Sequence, residues 1–160
     1  MMVAPIQGRR PLYFGLFRKR TQLLVDFSVA GWKEVAAHEI FTVTGVVEGY
    51  FYGEITQSLT SGGAATLAHG HEAGATYYGG AIALASLIAA RFVPHGAAAT
   101  SAATHQYLHG TTPNHSILIG VDIGYTVGAQ PMTGGKILYS FAWNPLSDDG
   151  RVVVGAGGAL

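Results

Sequence analysis

The chain has 160 residues, 49% of them apolar and only 11% charged, and its formal net charge is zero. That length suits one domain with a real core, and a neutral surface favours association over colloidal repulsion, which points to a subunit of an assembly. Cysteine is absent, which excludes disulfides, thiolate nucleophiles and Cys-bound metal.

Charge is unevenly placed. Arg9, Arg10, Arg18, Lys19 and Arg20 put five of the nine bases, and none of the nine acids, in the first twenty residues, so that segment carries +5 and the remainder −5. Such asymmetry marks a tail that docks on something acidic: a neighbouring copy, another protein or nucleic acid. Pro5, Gly8, Pro11 and Gly15 break any helix there. Tyr13, Phe14, Leu16 and Phe17 set apolar teeth between the bases. Residues 1–20 therefore read as an extended arm that orders on a partner, with Arg9, Arg10, Tyr13, Phe14, Phe17, Arg18, Lys19 and Arg20 as its contact residues. The alternative is a first segment packed along its own domain. No apolar stretch precedes a small-residue cleavage site, so a secretory leader is not expected.

Gln22 to Val29 alternates, with Leu23, Val25, Phe27 and Val29 on one side, and predicts a first strand. Gly31 to His38 fits either a short helical turn or a bent strand, and Trp32 within it is a core or interface residue. Phe41 to Thr66 reads as one long strand, a turn at Ser58 to Gly63 and a returning strand that reaches Gly70. Val47, Phe51 and Ile55 share its inner face; Glu48, Tyr50, Tyr52 and Glu54 form an aromatic outer face. Glu72 to Gly80, rich in Gly, Ala, Thr and Tyr, reads as loop. Ala81 to Arg91 predicts a helix, because Leu84, Leu87, Ile88 and Arg91 recur at helical spacing, and Pro94 stops it. Its apolar run is far short of the ~20 residues of a membrane helix. Ala97 to His115 is low in complexity and is either a second short helix capped by Ser101 or a long loop. Ile117 to Val127 alternates cleanly as a strand, Gly128 to Gly135 turns, and Lys136 to Trp143 returns with Ile137, Tyr139, Phe141 and Trp143 on one face. Asn144 to Gly150 is a loop before a last strand, Arg151 to Val154.

Strands separated by Gly-rich turns predict a mainly β protein: an antiparallel β-sandwich or small jelly-roll-like barrel. It has two long hairpins, one inserted short helix and the extended N-terminal arm. Residues 21–160 form a single domain, with the helical or loop insertion at about 72–115.

Candidate chemistry is sparse. His69 and His71 lie two apart on a predicted strand with Glu72 beside them, and His105 and His109 lie four apart. They could compose a zinc site, but there is no His-Glu-x-x-His pattern and no Cys; a surface or pH-sensitive interface role is the better account of the histidines. Asn144, Ser147, Asp148 and Asp149 offer oxygens without the calcium-loop pattern, so a turn stabilised by Asx side chains is expected. No Gly-x-Ser-x-Gly elbow occurs. Glu48 and Glu54 share a face but lie about 20 Å apart at ~3.3 Å per residue, too far for a glycosidase pair. Gly155 to Gly158 is not a phosphate loop, because no helix follows. The arm's bases would give nucleic acid only a modest, salt-sensitive grip. No enzyme activity, cofactor or metal is expected, and neither membrane nor nucleic acid is the favoured partner.

Three segments together resemble small structural proteins of tailed bacteriophages: Phe41-Thr42-Val43-Thr44-Gly45-Val46-Val47, Ser58-Leu59-Thr60-Ser61-Gly62-Gly63-Ala64-Ala65-Thr66, and Trp143-Asn144-Pro145-Leu146-Ser147-Asp148-Asp149-Gly150. The match covers roughly residues 37–70 and 117–154. The sequence departs from the pattern at His69-Gly70-His71, at the predicted helix and in the basic arm. The resemblance implies a virion component of the head-decoration or minor capsid type, with no catalytic residues to carry over. On that expectation the protein is made in the host cytoplasm and sits on the capsid surface as a homo-oligomer, with a trimer favoured. The arm lies across the major capsid protein or other virion proteins. The alternatives are a tail- or fibre-associated adhesin that binds host glycan through Tyr50, Tyr52, Tyr77 and Tyr78, and, behind it, a metal enzyme using the histidines.

Overall fold

A computed structural model describes residues 17–71, 74–93 and 116–156, with backbone alone for 74–79. Among these residues ten strands follow in order: β1 Lys19–Asp26, β2 Ala37–Thr44, β3 Val46–Ser61, β4 Thr66–His71, β5 Gly74–Ala83, β6 Arg91–Val93, β7 Ser116–Ile119, β8 Ile123–Gly128, β9 Met132–Pro145 and β10 Arg151–Val154. Every pairing among the described residues is antiparallel, and one set of the pairings is nested. β1 pairs β9, β2 pairs β8, β3 pairs both β6 and β7, and β4 pairs β5. The chain is thus one long two-stranded ribbon doubled back at the β4–β5 tip and then rolled. Rolling yields two facing sheets, β1-β9-β3 with β6 and β7 sharing the far edge of β3, and β10-β2-β8-β4-β5. This is the strand order of a jelly roll, with β10 added beside β2. The expected antiparallel sandwich is present.

The core lies between the inner faces. Val47, Phe51 and Ile55 of β3 face inward as their alternation predicts, and Ile137, Tyr139, Phe141 and Trp143 of β9 are all buried. β3 interleaves those side chains with Gly49 and Gly53. A β-carbon at Gly49 would run into the Phe141 ring, and one at Gly53 would sit 3.0 Å from Tyr139 and Ile137. Small residues on one strand therefore make room for rings on its neighbour. Tyr139 stacks on Phe51 at 5.7 Å and on Tyr125 of the opposite sheet at 5.9 Å, so the rings bridge the sandwich. Trp32 packs against this core as expected, its ring 6.5 Å from Tyr125, within turns that run up to β2.

Several sequence expectations are corrected. Neither long hairpin exists. Phe41–Thr44 belongs to β2, Gly45 at φ +63 breaks the run, and β3 and β4 lie in different sheets, as do β8 and β9. Period-two alternation marks a strand but not its partner, and a corner between sheets reads the same as a hairpin. The first turn falls at 62–65, because β3 holds its pairing with β9 as far as Ser61. Tyr50 is only 4% exposed despite its outward parity. It occupies a central strand, its ring 5.8 Å from Tyr52 and its position directly across from buried Ala142. The stretch read as loop is mostly β5, whose Tyr and Thr suit a strand.

The predicted helix at Ala81 to Arg91 is absent. Its start ends β5, Leu84–Ser86 forms a single 3-10 turn, and its end opens β6. The backbone there is used by neighbours instead: Leu59 N–H donates to Leu87 O at 2.9 Å and Ala90 N–H to Ile55 O at 2.9 Å. Ile117 to Val127 is two strands in two sheets, separated at Gly120 with φ +55. The break reverses the phase, so Leu118 is buried while Ile117 and Ile119 are exposed. β1 ends before Val29, which is exposed, and begins at Lys19, within the stretch read as arm. The last strand matches its expectation. The segment Ala97 to His115 and residues 1–16 lie outside the described residues.

Gly135 sits inside β9 at φ +104, and a β-carbon there would meet Leu59 Cα at 2.5 Å and Ser58 O at 2.6 Å. The Gly135→Ala variant is expected to lose at least about 2 kcal/mol, since both backbone strain and a backbone clash act together. Urea unfolding followed by tryptophan fluorescence measures this; a loss below about 0.5 kcal/mol contradicts the packing described.

Candidate functional site

The start of β1, the end of β9 and the departure of β10 meet at one corner of the sandwich. The Arg18 N–H donates to Asn144 Oδ1 at 2.8 Å. Lys19 pairs in register with Trp143 and holds its ammonium 4.8 Å from the indole centroid. The Trp143 Nε1–H donates to Thr21 Oγ1 at 3.0 Å, and that hydroxyl donates to Val152 O at 3.2 Å. One threonine thus ties the first sheet to the added strand β10 of the second. The turn between β9 and β10 is locked from within. Val46 N–H donates to Ser147 Oγ at 2.8 Å, Ser147 Oγ donates to Asp149 Oδ1 at 2.6 Å, and Gly150 N–H donates to Ser147 O at 3.0 Å. This is the side-chain-stabilised turn expected from the sequence. Together these elements wall a groove of about 640 Å³ whose lining includes Lys19, Thr44, Trp143, Asp148, Asp149 and Arg151.

Of the predicted arm residues, Arg18, Lys19 and Arg20 are exposed at this corner and Phe17 is half-buried; Lys19 and Arg20 belong to β1. Arg9, Arg10, Tyr13 and Phe14 lie outside the described residues. Thr21, Ser147 and Asn144, which fix the corner, were not singled out as a site by sequence reasoning. The bonds that join them to other strands span over a hundred residues of chain, and only the turn-forming pattern Asn-Pro-x-Ser-Asp-Asp-Gly gave a signal. Tyr50 is buried and Tyr52 half-buried, so the first half of the expected sugar-binding aromatics is no open platform. The side chains of Tyr77 and Tyr78 lie outside the described ones.

The second concentration of polar chemistry is internal. His69 is fully buried between Phe51, Tyr125 and Tyr139, with ring centroids 6.1, 6.4 and 5.5 Å away. Its Nε2 shares a 2.8 Å hydrogen bond with the Tyr139 hydroxyl, while Nδ1 has no partner among the described residues. Burial pushes the imidazole from its usual 6.5 down to about 3, and pushes the Tyr139 and Tyr125 phenols up. His69 is therefore a neutral core residue held by aromatic rings. Among the described residues no group of three or more His, Cys, Asp or Glu could hold a metal ion. Glu72, His105 and His109 lie outside them. At the far end of β1, hydrogen bonds from Ser28, then Lys136 at 3.1 Å, lower the Asp26 carboxyl to about 2.

Comparisons of the chain with protein-family models, curated proteins and solved structures found no match.

Two outcomes test this geometry. Thr21→Val leaves the Trp143 N–H and the Val152 carbonyl without their shared partner and is expected to cost about 1–3 kcal/mol. By contrast, Lys19→Ala removes an exposed cation–π contact and costs under about 1 kcal/mol; equal effects in thermal unfolding would contradict the relay. For His69 the pH dependence has a definite sign. The unfolded chain binds a proton as pH falls below about 6.5, whereas the folded chain does not until about 3. Stability therefore drops with falling pH across that window, by at most about 1.4 kcal/mol per pH unit from this residue. His69→Gln lacks the titration, so its urea midpoint should fall less than the wild type's between about pH 7 and pH 4.5. Parallel slopes would refute a neutral buried imidazole.

Proposed function

We propose that this chain is a non-enzymatic structural protein of a virion, a capsid decoration or minor capsid protein that binds the capsid shell and stabilises it. The observation that carries the reading is the corner at the start of β1. Arg18, Lys19 and Arg20 are exposed there, while Asn144, Trp143 and Thr21 fasten the strand behind them. The last bases of the leading segment thus stand at a fixed point on a body of opposite charge. The jelly-roll strand order is consistent with this reading, because capsid domains use that architecture. Lectin domains use it too, so fold alone does not decide. The glycan-binding alternative loses support where Tyr50 is buried.

On this reading the function is mechanical. The body stands on the shell in a homo-oligomer, trimeric by expectation, and its leading segment meets acidic surface on a neighbouring virion protein. Each contact is shallow, and multiplicity over a repeating surface makes the sum strong. Truncation after Leu16 leaves β1 whole, which removal of residues 1–20 would not. The truncated protein is expected to bind expanded capsids lacking this chain at least tenfold more weakly in co-sedimentation. Binding of the full chain should weaken with salt, as charge pairing requires. Capsid binding that is unchanged by truncation would refute the role of the leading segment, and no capsid binding by the full chain would refute the shell reading.

A further inference from the structure

Ile117 and Ile119 are 63% and 69% exposed, a consequence of the phase reversal at Gly120. Both stand on the solvent side of the first sheet, where Ile119 lies across from Val46 and Ile117 across from Glu48. Leu146, 52% exposed, is bound to the same strand end by its N–H, which donates to Val46 O at 2.8 Å. Val46, Ile117, Ile119 and Leu146 therefore form one apolar patch. Its margin is acidic. Asp148 and Asp149 are exposed in the turn that follows Leu146, and Asp149 lies against Gly45, next to Val46. Other strands at sheet margins carry charge that discourages pairing, Lys19, Arg20 and Asp26 on β1, Arg91 on β6 and Arg151 on β10, whereas β7, Ser-Ile-Leu-Ile, has none. β5 is also uncharged, but its exposed described side chains are only Ala81 and Ala83.

The sequence holds a segment of matching chemistry. Between Arg9-Arg10 and Arg18 lie Leu12, Tyr13, Phe14, Leu16 and Phe17, a run of apolar side chains flanked by cations. An apolar surface rimmed by carboxylates complements it in both respects, since residues 9–16 carry Arg9 and Arg10 and no acid. None of the described residues covers Ile117 and Ile119, and the leading segment of a neighbouring copy has the chemistry to do so. Sixteen residues span up to about 50 Å when extended, enough to reach a neighbouring body.

We propose that the patch of Val46, Ile117, Ile119 and Leu146, with its Asp148–Asp149 margin, is the docking site for residues 9–16 of a second copy of this chain. Each copy gives a segment and receives one, a heterologous contact that closes into a ring or continues as a chain. The proposal rests on the reading of the leading segment as a docking element and names this chain itself as one acidic neighbour.

The test uses full-length chains in sedimentation velocity. Wild type is expected to self-associate. A patch variant, Ile117→Glu with Ile119→Glu, and a segment variant, Arg9→Glu with Arg10→Glu, should each associate at least tenfold more weakly. An equimolar mixture of the two should regain a dimer, because one intact segment then meets one intact patch. If the doubly charged patch variant does not melt cooperatively, Ile119→Ser replaces it. A monomeric wild type at 100 µM, an unaffected variant or a mixture that stays monomeric would each overturn the proposal. The last outcome would point to symmetric β7–β7 pairing, and a monomeric wild type to docking within one chain. Capsid co-sedimentation is read separately: its failure with self-association intact sinks the shell reading and leaves this one standing.

Discussion

The pairing of β3 with β9 is the constraint on which the rest of the molecule depends. It runs from Val47 opposite Pro145 to Ser61 opposite Met132, and it works because two glycines on one strand yield their side-chain space to two rings on the other. Those rings then set the distance between the sheets. Tyr139 lies between Phe51 of its own sheet and Tyr125 of the facing one, and Tyr125 in turn stacks on His38 at 4.9 Å and donates its hydroxyl to Trp32 O at 2.5 Å. Each ring pair adds about 0.5–1.5 kcal/mol beyond its buried area. More importantly, the column specifies one relative placement of two sheets that apolar burial alone would hold only loosely.

Much of the strand content was legible in the chain, and the reasons are local. Alternation identifies β1, β3 and β9 because side chains of a half-buried strand must change faces at every residue. Partner choice was not legible. Thr21 and Trp143 are bonded although 122 residues separate them, and no short-range pattern encodes such a meeting. The errors have the same origin. Leu84, Leu87, Ile88 and Arg91 mimic a helical stripe, yet the neighbouring strand claims their backbone hydrogen bonds. Ile117 to Val127 keeps its alternation across a glycine that sends its two halves into different sheets. Lys19 was found by charge, but the indole beneath it was read only as core.

The two places where polar groups gather are therefore different in kind. The His69–Tyr139 pair is sealed among rings, and its neutrality follows from lost hydration. At the β1 corner the polar groups are partly open to solvent, and they hold the start of β1 in place. A proposed structural role draws on the second and needs nothing from the first. The proposed patch around Ile119 belongs with the corner, since the turn carrying Leu146, Asp148 and Asp149 borders both.

The nested ribbon also has a temporal side. Only β4 and β5 can zip together over a short stretch of chain; each outer pair must wait for a more distant partner, and such long-range closures are slow. Synthesis runs from the amino end, so β1 emerges long before β9, the strand it is seated against. A chain that stops before β9 has Arg18, Lys19 and Thr21 but lacks the Asn144, Trp143 and Val152 that build the corner around them. On the proposed reading, docking would therefore wait until the strands that build this corner have been made.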